Sequence, residues 1–254
     1  MNDIDLAHAL ADAAGAAIRP YFRARFDIET KADASPVTAA DRAAEAAMRA
    51  LIARHRPDDG VIGEEYGDDR PDAERVWVLD PVDGTRAFIA GRPLFGTLIA
   101  LMEDGAPVLG VIDQCIARDR WVGADGHTTL NGVAARTRSC PDITQAYLAT
   151  TSPHAFPDGD LAAFEALRAK VRDTLYGGDC HNYGLLSSGH LDLVVEAGLK
   201  TFDWAALVPV VRGAGGAMTD WAGAPLRLGA EGRVIAAGDA ALIEPAVAAL
   251  GDCM

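Results

Sequence analysis

Val76-Trp77-Val78-Leu79-Asp80-Pro81-Val82-Asp83-Gly84-Thr85 is the stretch on which the fold turns. Four apolar residues rich in β-branched and aromatic side chains read as a buried strand. The strand runs directly into Asp80, and Pro81 is expected to end it. A second carboxylate follows at Asp83, and Gly84-Thr85 then opens a helix over Thr85 to Ala90. This spacing lets both carboxylates turn toward one point with the Val82 carbonyl between them, a set of hard oxygens suited to Mg²⁺. Backbone N–H groups at the start of the following helix form an anion site. Taken alone, the same residues also read as an acidic surface turn with Asp83-Gly84 at its tip.

Upstream, Leu6, Leu10, Ala13, Ala14, Ala17, Ile18 and Tyr21 recur at helical spacing and predict a helix over 3–26, bent near Pro20. A polar loop with Lys31 and Ser35-Pro36 leads to Thr38 as an N-cap, and Ala39 to His55 reads as a second helix. Val61-Ile62-Gly63-Glu64-Glu65 is a short strand running into acids. Downstream, Leu98 to Met102, Val108 to Ile112 and Arg120 to Val122 are strands separated by turn signals, an antiparallel meander. The order is mixed again from about residue 145. Tyr147–Thr151, Leu191–Val195, Ala217–Asp220 and Val234–Ala237 are strands. Leu161–Lys170, Tyr183–Ser188, Trp204–Arg212 and Ala240–Leu250 are helices. The expected organisation is one compact α/β (α+β) unit of two closely packed parts, 1–140 with most of the acidic motifs and 141–254 closing over them.

The bulk numbers restrict the partners. Among 254 residues, 37 are Asp or Glu and 23 are Lys or Arg, a formal net charge of -14. Such a surface is wrong for nucleic acid and for anionic membranes. It would repel a phosphate ester as well, unless bound divalent cations reversed the field locally. The longest apolar run, Leu94 to Met102, is too short to span a bilayer, and the first ten residues carry acids where a signal peptide is basic. Cys115, Cys140, Cys180 and Cys253 are scattered, which predicts reduced thiols in a cytoplasmic protein.

Other acids take their meaning from position. Glu64-Glu65 sits where a strand ends, and adjacent carboxylates repel unless a cation or solvent separates them. Asp203, between Phe202 and Trp204, reads equally as a helix N-cap. Thr38-x-x-Asp41 also fits a capping box. There is no G-x-x-x-x-G-K-[ST], no Rossmann glycine pattern and no G-x-S-x-G elbow. Gly213-Ala214-Gly215-Gly216 reads as a helix C-cap. The six histidines form no H-x-x-x-H pair.

Three blocks together resemble the inositol monophosphatase superfamily: Gly63-Glu64-Glu65, Asp80 to Thr85, and Phe202-Asp203-Trp204-Ala205-Ala206 with Gly213 to Gly216. The resemblance implies a layered α-β-α-β-α sandwich of the inositol monophosphatase and fructose-1,6-bisphosphatase type, Mg²⁺ dependence, phosphomonoester hydrolysis and a homodimer. It places Glu64, Asp80 and the Val82 carbonyl on one metal ion, and Asp80, Asp83 and Asp203 on a second. It gives the phosphate to Asp83, Gly84 and Thr85. Asp41, Glu64 and Thr85 become the catalytic group around the attacking water, with Glu65 behind the ligands. Phe202 stands where the family more often has Trp.

A finer resemblance, to the histidinol-phosphatase branch, is carried by Arg92 to Leu101, Tyr176-Gly177-Gly178-Asp179-Cys180 and Leu191 to Lys200. It implies L-histidinol phosphate as substrate, in histidine biosynthesis. Histidinol carries an ammonium and an imidazole, so its pocket should offer carboxylates. Asp179 and Glu196 are assigned to it, with Glu64 and Arg86 as further substrate contacts. The plain alternatives are a helix N-cap for Asp179 and a solvated strand-end charge for Glu196. His181-Asn182-Tyr183 departs from the branch's Tyr-Ala-Tyr, and the roles of Lys31, Arg86 and His181 stay open. Two alternatives remain for the whole chain: an inositol-1-phosphate or broad small-molecule phosphatase, and a catalytically silent regulatory relative.

Overall fold

The computed structural model describes residues 1–24, 28–30, 36–157 and 159–251. Lys31, Ser35, Cys253 and the side chain of Thr38 lie outside the described residues. The first helix, α1 (Asp3–Ile18), is capped by the Asn2 side chain, which accepts the Asp5 N–H at 2.7 Å. Asp3 and Asp5 in its first turn suit the positive end of the helix dipole. It stops eight residues short of the predicted end, because Pro20 cannot continue the backbone ladder. The second, α2 (Ala39–His55), has the predicted bounds. Its buried ridge Ala40, Ala44, Met48, Ile52 repeats every four residues and packs against Leu6, Leu10, Ala14 and Ile18 of α1.

Two strands, β1 (Ile28–Thr30) and β2 (Pro36–Thr38), form an antiparallel pair. Eight more build the large sheet: β3 (Gly60–Gly63), β4 (Gly67–Asp69), β5 (Arg75–Asp83), β6 (Gly96–Glu103), β7 (Ala106–Gln114), β8 (Asp119–Ala124), β9 (His127–Leu130) and β10 (Val133–Ala134). Their order is β10-β9-β8-β7-β6-β5-β3-β4, so β5 to β10 form a meander in which β6 to β8 are the three expected strands. Asp104-Gly105, Asp125-Gly126 and Asn131-Gly132 all have positive φ, the requirement of two-residue hairpin turns. The short helix α3 (Thr85–Ile89) leaves β5 after Gly84.

A five-stranded sheet in the order β12-β11-β13-β15-β14 follows. It comprises β11 (Tyr147–Thr150), β12 (Asp173–Tyr176), β13 (Leu193–Glu196), β14 (Ala217–Thr219) and β15 (Val234–Ala237). Helices α5 (His181–Ser187), α6 (Thr201–Trp204) and α7 (Leu207–Gly213) lie between the two sheets, while α4 (Asp160–Arg168) and α8 (Ile243–Gly251) cover the outer face of the smaller one. With α1 and α2 on the far side of the large sheet, the layers are α-β-α-β-α, as expected. Three apolar clusters fill the spaces between layers, with Trp77, Trp121 and Trp204 among the fully buried side chains.

The predicted helix Trp204–Arg212 is broken into α6 and α7. Pro209 has no N–H to give the Ala205 carbonyl, and its ring clashes there. The break fits closely on β7, where a Cβ on Gly110 would meet the Ala206 carbonyl oxygen at 2.0 Å. The predicted strand Val61–Glu65 also ends early, at Gly63. The buried Glu45 carboxylate takes the N–H groups of Glu65 and Tyr66 at 2.7 and 3.2 Å and pulls them out of the ladder. Among the described residues, Cys115, Cys140 and Cys180 are buried thiols without disulfides, and no helix is long and apolar enough to cross a membrane.

Candidate active site

Pro81 does not end its strand. β5 continues to Asp83 through a register shift against β6: Asp80 faces Leu98, and Asp83 faces Gly96. A proline is tolerated at such a bulge because no ladder donor is needed there. The Thr97 hydroxyl takes up the Pro81 carbonyl at 2.8 Å. The bulge re-aims the chain, so that carboxylate oxygens of Asp80 and Asp83 come within 4.8 Å of each other and of one from Asp203.

Asp203 arrives from between the sheets. It is not the N-cap of a helix starting at Trp204 but the third residue of α6, where its carboxylate accepts the Lys200 N–H at 2.6 Å. Glu64 is presented by the turn after β3, its N–H donating to the Leu79 carbonyl at 3.3 Å. Asp41 is buried in the first turn of α2. The charges of Glu64, Asp83, Asp203 and Asp41 all bear on Asp80, so the five acids form one cluster. Burial first, and then those charges, push the Asp80 carboxyl well above the ordinary range. Asp83 shifts the same way, from burial and the charges of Asp179 and Asp203. Asp203 is pushed up to about 7, chiefly by burial.

This cluster fits a divalent cation. At 4.8 Å two full charges repel by roughly 3 kcal/mol at an effective dielectric of 20. Asp80 Oδ1 is buried with no hydrogen-bond partner among the described residues, a cost that a cation would remove. The donors are hard oxygens, which suit Mg²⁺. Glu65 stands outside the cluster, its buried carboxylate 3.8 Å from the Arg42 guanidinium.

Gly84 caps α3 with φ of 84° and lies under Asp179, whose Cγ is 2.9 Å from where a Cβ on Gly84 would stand. The Thr85 hydroxyl donates to the Val82 carbonyl at 3.0 Å. We expect Gly84→Ala to strain the backbone and displace Asp179, lowering kcat/KM by on the order of 10²-fold. Steady-state rates with a melting curve test this; a fall of less than threefold would remove the close approach from the argument.

Beyond the acids a pocket of about 160 Å³ opens between the sheets, lined by Asp83, Thr151, Asp179, Tyr183, Glu196 and Asp203 among others. Asp179 is not a helix N-cap; it lies before the Cys180 cap of α5 in a left-handed conformation with φ of 46°. Burial and the Glu196 charge push its carboxyl up to about 7, against the pull of Arg86. Glu196 is not solvated. It is buried at the end of β13, its carboxyl raised by burial and held down by bonds from Thr151 and Tyr183. Arg86 is exposed and lines the groove with Glu64, Asp80, Thr85 and Asp179. His181 lines neither space; its ring packs 5.8 Å from Trp121.

The profile of the inositol monophosphatase family matches residues 2–253. A histidinol-phosphatase of Mycobacterium tuberculosis is 36% identical over 226 residues, 86% of this chain and 87% of its own length. The chain belongs to the inositol monophosphatase family. Other relatives of this family member carry different names. The bifunctional phosphatase IMPL2 of Arabidopsis thaliana is 54% identical over 219 residues, 85% of this chain, and the chain spans 63% of that protein's length. A solved structure described as an inositol monophosphatase from Zymomonas mobilis is 60% identical, with a TM-score of 0.91 over 98% of this chain and 97% of that one.

Four residues that sequence reasoning did not single out matter here. Glu45 fixes the turn carrying Glu64, and an acid on the buried face of an alanine-rich helix was its visible signal. The Cys180 N–H holds Asp83 Oδ2 at 2.7 Å. Thr151 and Tyr183 hold Glu196, with no local motif to mark them.

Proposed function

We propose that this chain is a Mg²⁺-dependent phosphomonoesterase that hydrolyses L-histidinol phosphate to L-histidinol and phosphate. The observation that carries the reading is the juxtaposition of two acidic groups. One is a five-carboxylate cluster around the buried, unpartnered Asp80 Oδ1. The other is a second carboxylate pair, Asp179 and Glu196, lining the adjoining pocket. The first suits a cation that receives phosphate; the second suits a leaving group that is itself cationic.

Glu64, Asp80, the Val82 carbonyl, Asp83 and Asp203 would hold the metal. Bound Mg²⁺ supplies neutralisation of the phosphoryl oxygens and a more acidic water. The chain's own groups do the positioning. Gly84 and Thr85 direct backbone N–H groups at the phosphate. Because the Thr85 proton is committed to Val82, its hydroxyl oxygen is left to accept from the attacking water. Asp41 and Glu64 are the acceptors for that water's proton. Asp179 and Glu196 then bind the ammonium and imidazolium of the departing alcohol. Arg86, at the rim, meets the phosphate.

Relatives named histidinol-phosphatase at 35 to 36% identity support this substrate. The Zymomonas mobilis structure supports a second reading, inositol-1-phosphate or a broader range of small esters. Phosphate release from the two esters, side by side with Mg²⁺ and with EDTA, separates them. We expect an EDTA-sensitive kcat/KM at least tenfold higher on histidinol phosphate, about one well-formed charge-assisted hydrogen bond. Equal rates would withdraw the histidinol assignment and keep the phosphatase. No release from either, with no Mg²⁺ bound in a titration, would favour a silent regulatory relative.

A further inference from the structure

We propose that Tyr183 and Thr151 are positioning residues that set the pocket's preference for a cationic leaving group, by locking the Glu196 carboxylate with a single acceptor site left over. This rests on the reading of Glu196 as a leaving-group contact. Three elements converge on that carboxylate. Glu196 ends β13, Thr151 follows the neighbouring parallel strand β11, and Tyr183 stands on α5. Glu196 Oε1 accepts the Thr151 N–H at 2.9 Å and also the Thr151 hydroxyl. Oε2 accepts the Tyr183 hydroxyl at 3.1 Å.

A carboxylate has about four acceptor positions. Three are taken by protein donors, and the fourth, on Oε2, is left for the pocket. Burial raises the Glu196 carboxyl, and the donors, which favour the ionised form, offset part of that rise. Tyr183 is buried beside that anion, which raises its phenol well above the ordinary range and keeps its proton available for donation. The pocket therefore shows a carboxylate fixed in orientation with one aimed lone pair, facing the same space as Asp179. Both donors would make a charge-assisted hydrogen bond to such an acceptor, but a cationic N–H adds the attraction of a full opposite charge at low dielectric, which a neutral hydroxyl lacks. A freely rotating carboxylate would serve several polyol hydroxyls nearly as well.

Tyr183→Phe removes the hydroxyl and keeps the ring volume, so the packing of α5 stays filled. Thr151→Val removes one donor and keeps the backbone N–H. The quantity to read is the ratio of kcat/KM on L-histidinol phosphate to that on inositol-1-phosphate, with Mg²⁺ present. We expect Tyr183→Phe to lower that ratio about tenfold, mainly through KM for histidinol phosphate, and Thr151→Val to lower it in the same direction. A merely structural role would lower both rates in proportion and leave the ratio alone. An unchanged ratio in both variants, with wild-type preference intact, overturns the brace and leaves the substrate reading standing. A wild-type enzyme with no preference overturns both.

Discussion

Asp83→Asn should lower kcat/KM on any phosphate ester by on the order of 10³-fold while the protein melts at least as high without metal. The two halves of this expectation have different causes. Asp83 is the end of the re-aimed β5 and brings its carboxylate to within 4.8 Å of those of Asp80 and Asp203. On the proposed reading, removing its charge removes a cation ligand and a group facing the phosphate. Amide for carboxylate conserves shape, and the amide oxygen still accepts the Cys180 N–H now bound at 2.7 Å. Burial and the neighbouring Asp179 and Asp203 hold the Asp83 carboxyl well above its ordinary range, so its ionised form works against the metal-free fold. Taking that charge away relieves repulsion. Steady-state rates, a Mg²⁺ titration and a melt in EDTA together test this. A variant with near-normal, EDTA-sensitive turnover would take Asp83 out of the mechanism.

The same residue shows what a linear reading can and cannot reach. The block from Val76 to Thr85 announces a strand, two carboxylates and a helix start because each is a local property: β-branched composition, spacing, a glycine. Pro81 does not end the strand, and the reason is physical. Proline forbids a ladder donor, but at a bulge no donor is required, and whether a bulge exists is decided by β6 on the other side. Pro209 is the opposite case; its effect on the Ala205 carbonyl is local, and the break between α6 and α7 was open to reading from the sequence alone. The α1 and α2 faces were legible from their four-residue repeats. The partners of Glu45 were not, since they lie 20 and 21 residues away. Nor was the Glu196 carboxylate as a buried, braced group, because Thr151 is 45 residues distant and the pairing of β11 with β13 brings it close. Site chemistry concentrated at chain reversals is readable; the partners that orient it come through sheet pairing and are not.

In EDTA the protein should lose stability steadily as pH rises from 5 to 8, and Mg²⁺ should reverse that slope. Asp203 and Asp179 are both pushed up to about 7, and Asp80 and Asp83 shift in the same direction. In the unfolded chain such carboxyls titrate near 4. Between the two values the folded state holds more protons than the unfolded one, so stability falls with rising pH, and the loss is complete once the folded groups have ionised. Carboxyls shifted down, Asp3, Asp142 and Asp239, act with the opposite sign, but they lose their contribution only as pH falls below about 4, outside this window. His181, held down by burial, opposes the fall inside the window, as one group against the several raised carboxyls. For a single carboxyl held near 7 the change from pH 5 to 8 is on the order of 3 kcal/mol, or roughly 6 to 12 °C in melting temperature for a chain of this size, and the other members of the cluster add to it. A cation binds the ionised ligands, so its affinity rises over the same range. The gap between melting temperatures with Mg²⁺ and with EDTA should therefore be small at pH 5 and largest at pH 8. An EDTA slope that is flat or upward would mean that the acids are not crowded at low dielectric as described. A gap that does not widen with pH would mean that they are not the cation's ligands. The two slopes are read from one set of melts, and no substrate enters either, so this result bears on the site independently of which phosphate ester the enzyme prefers.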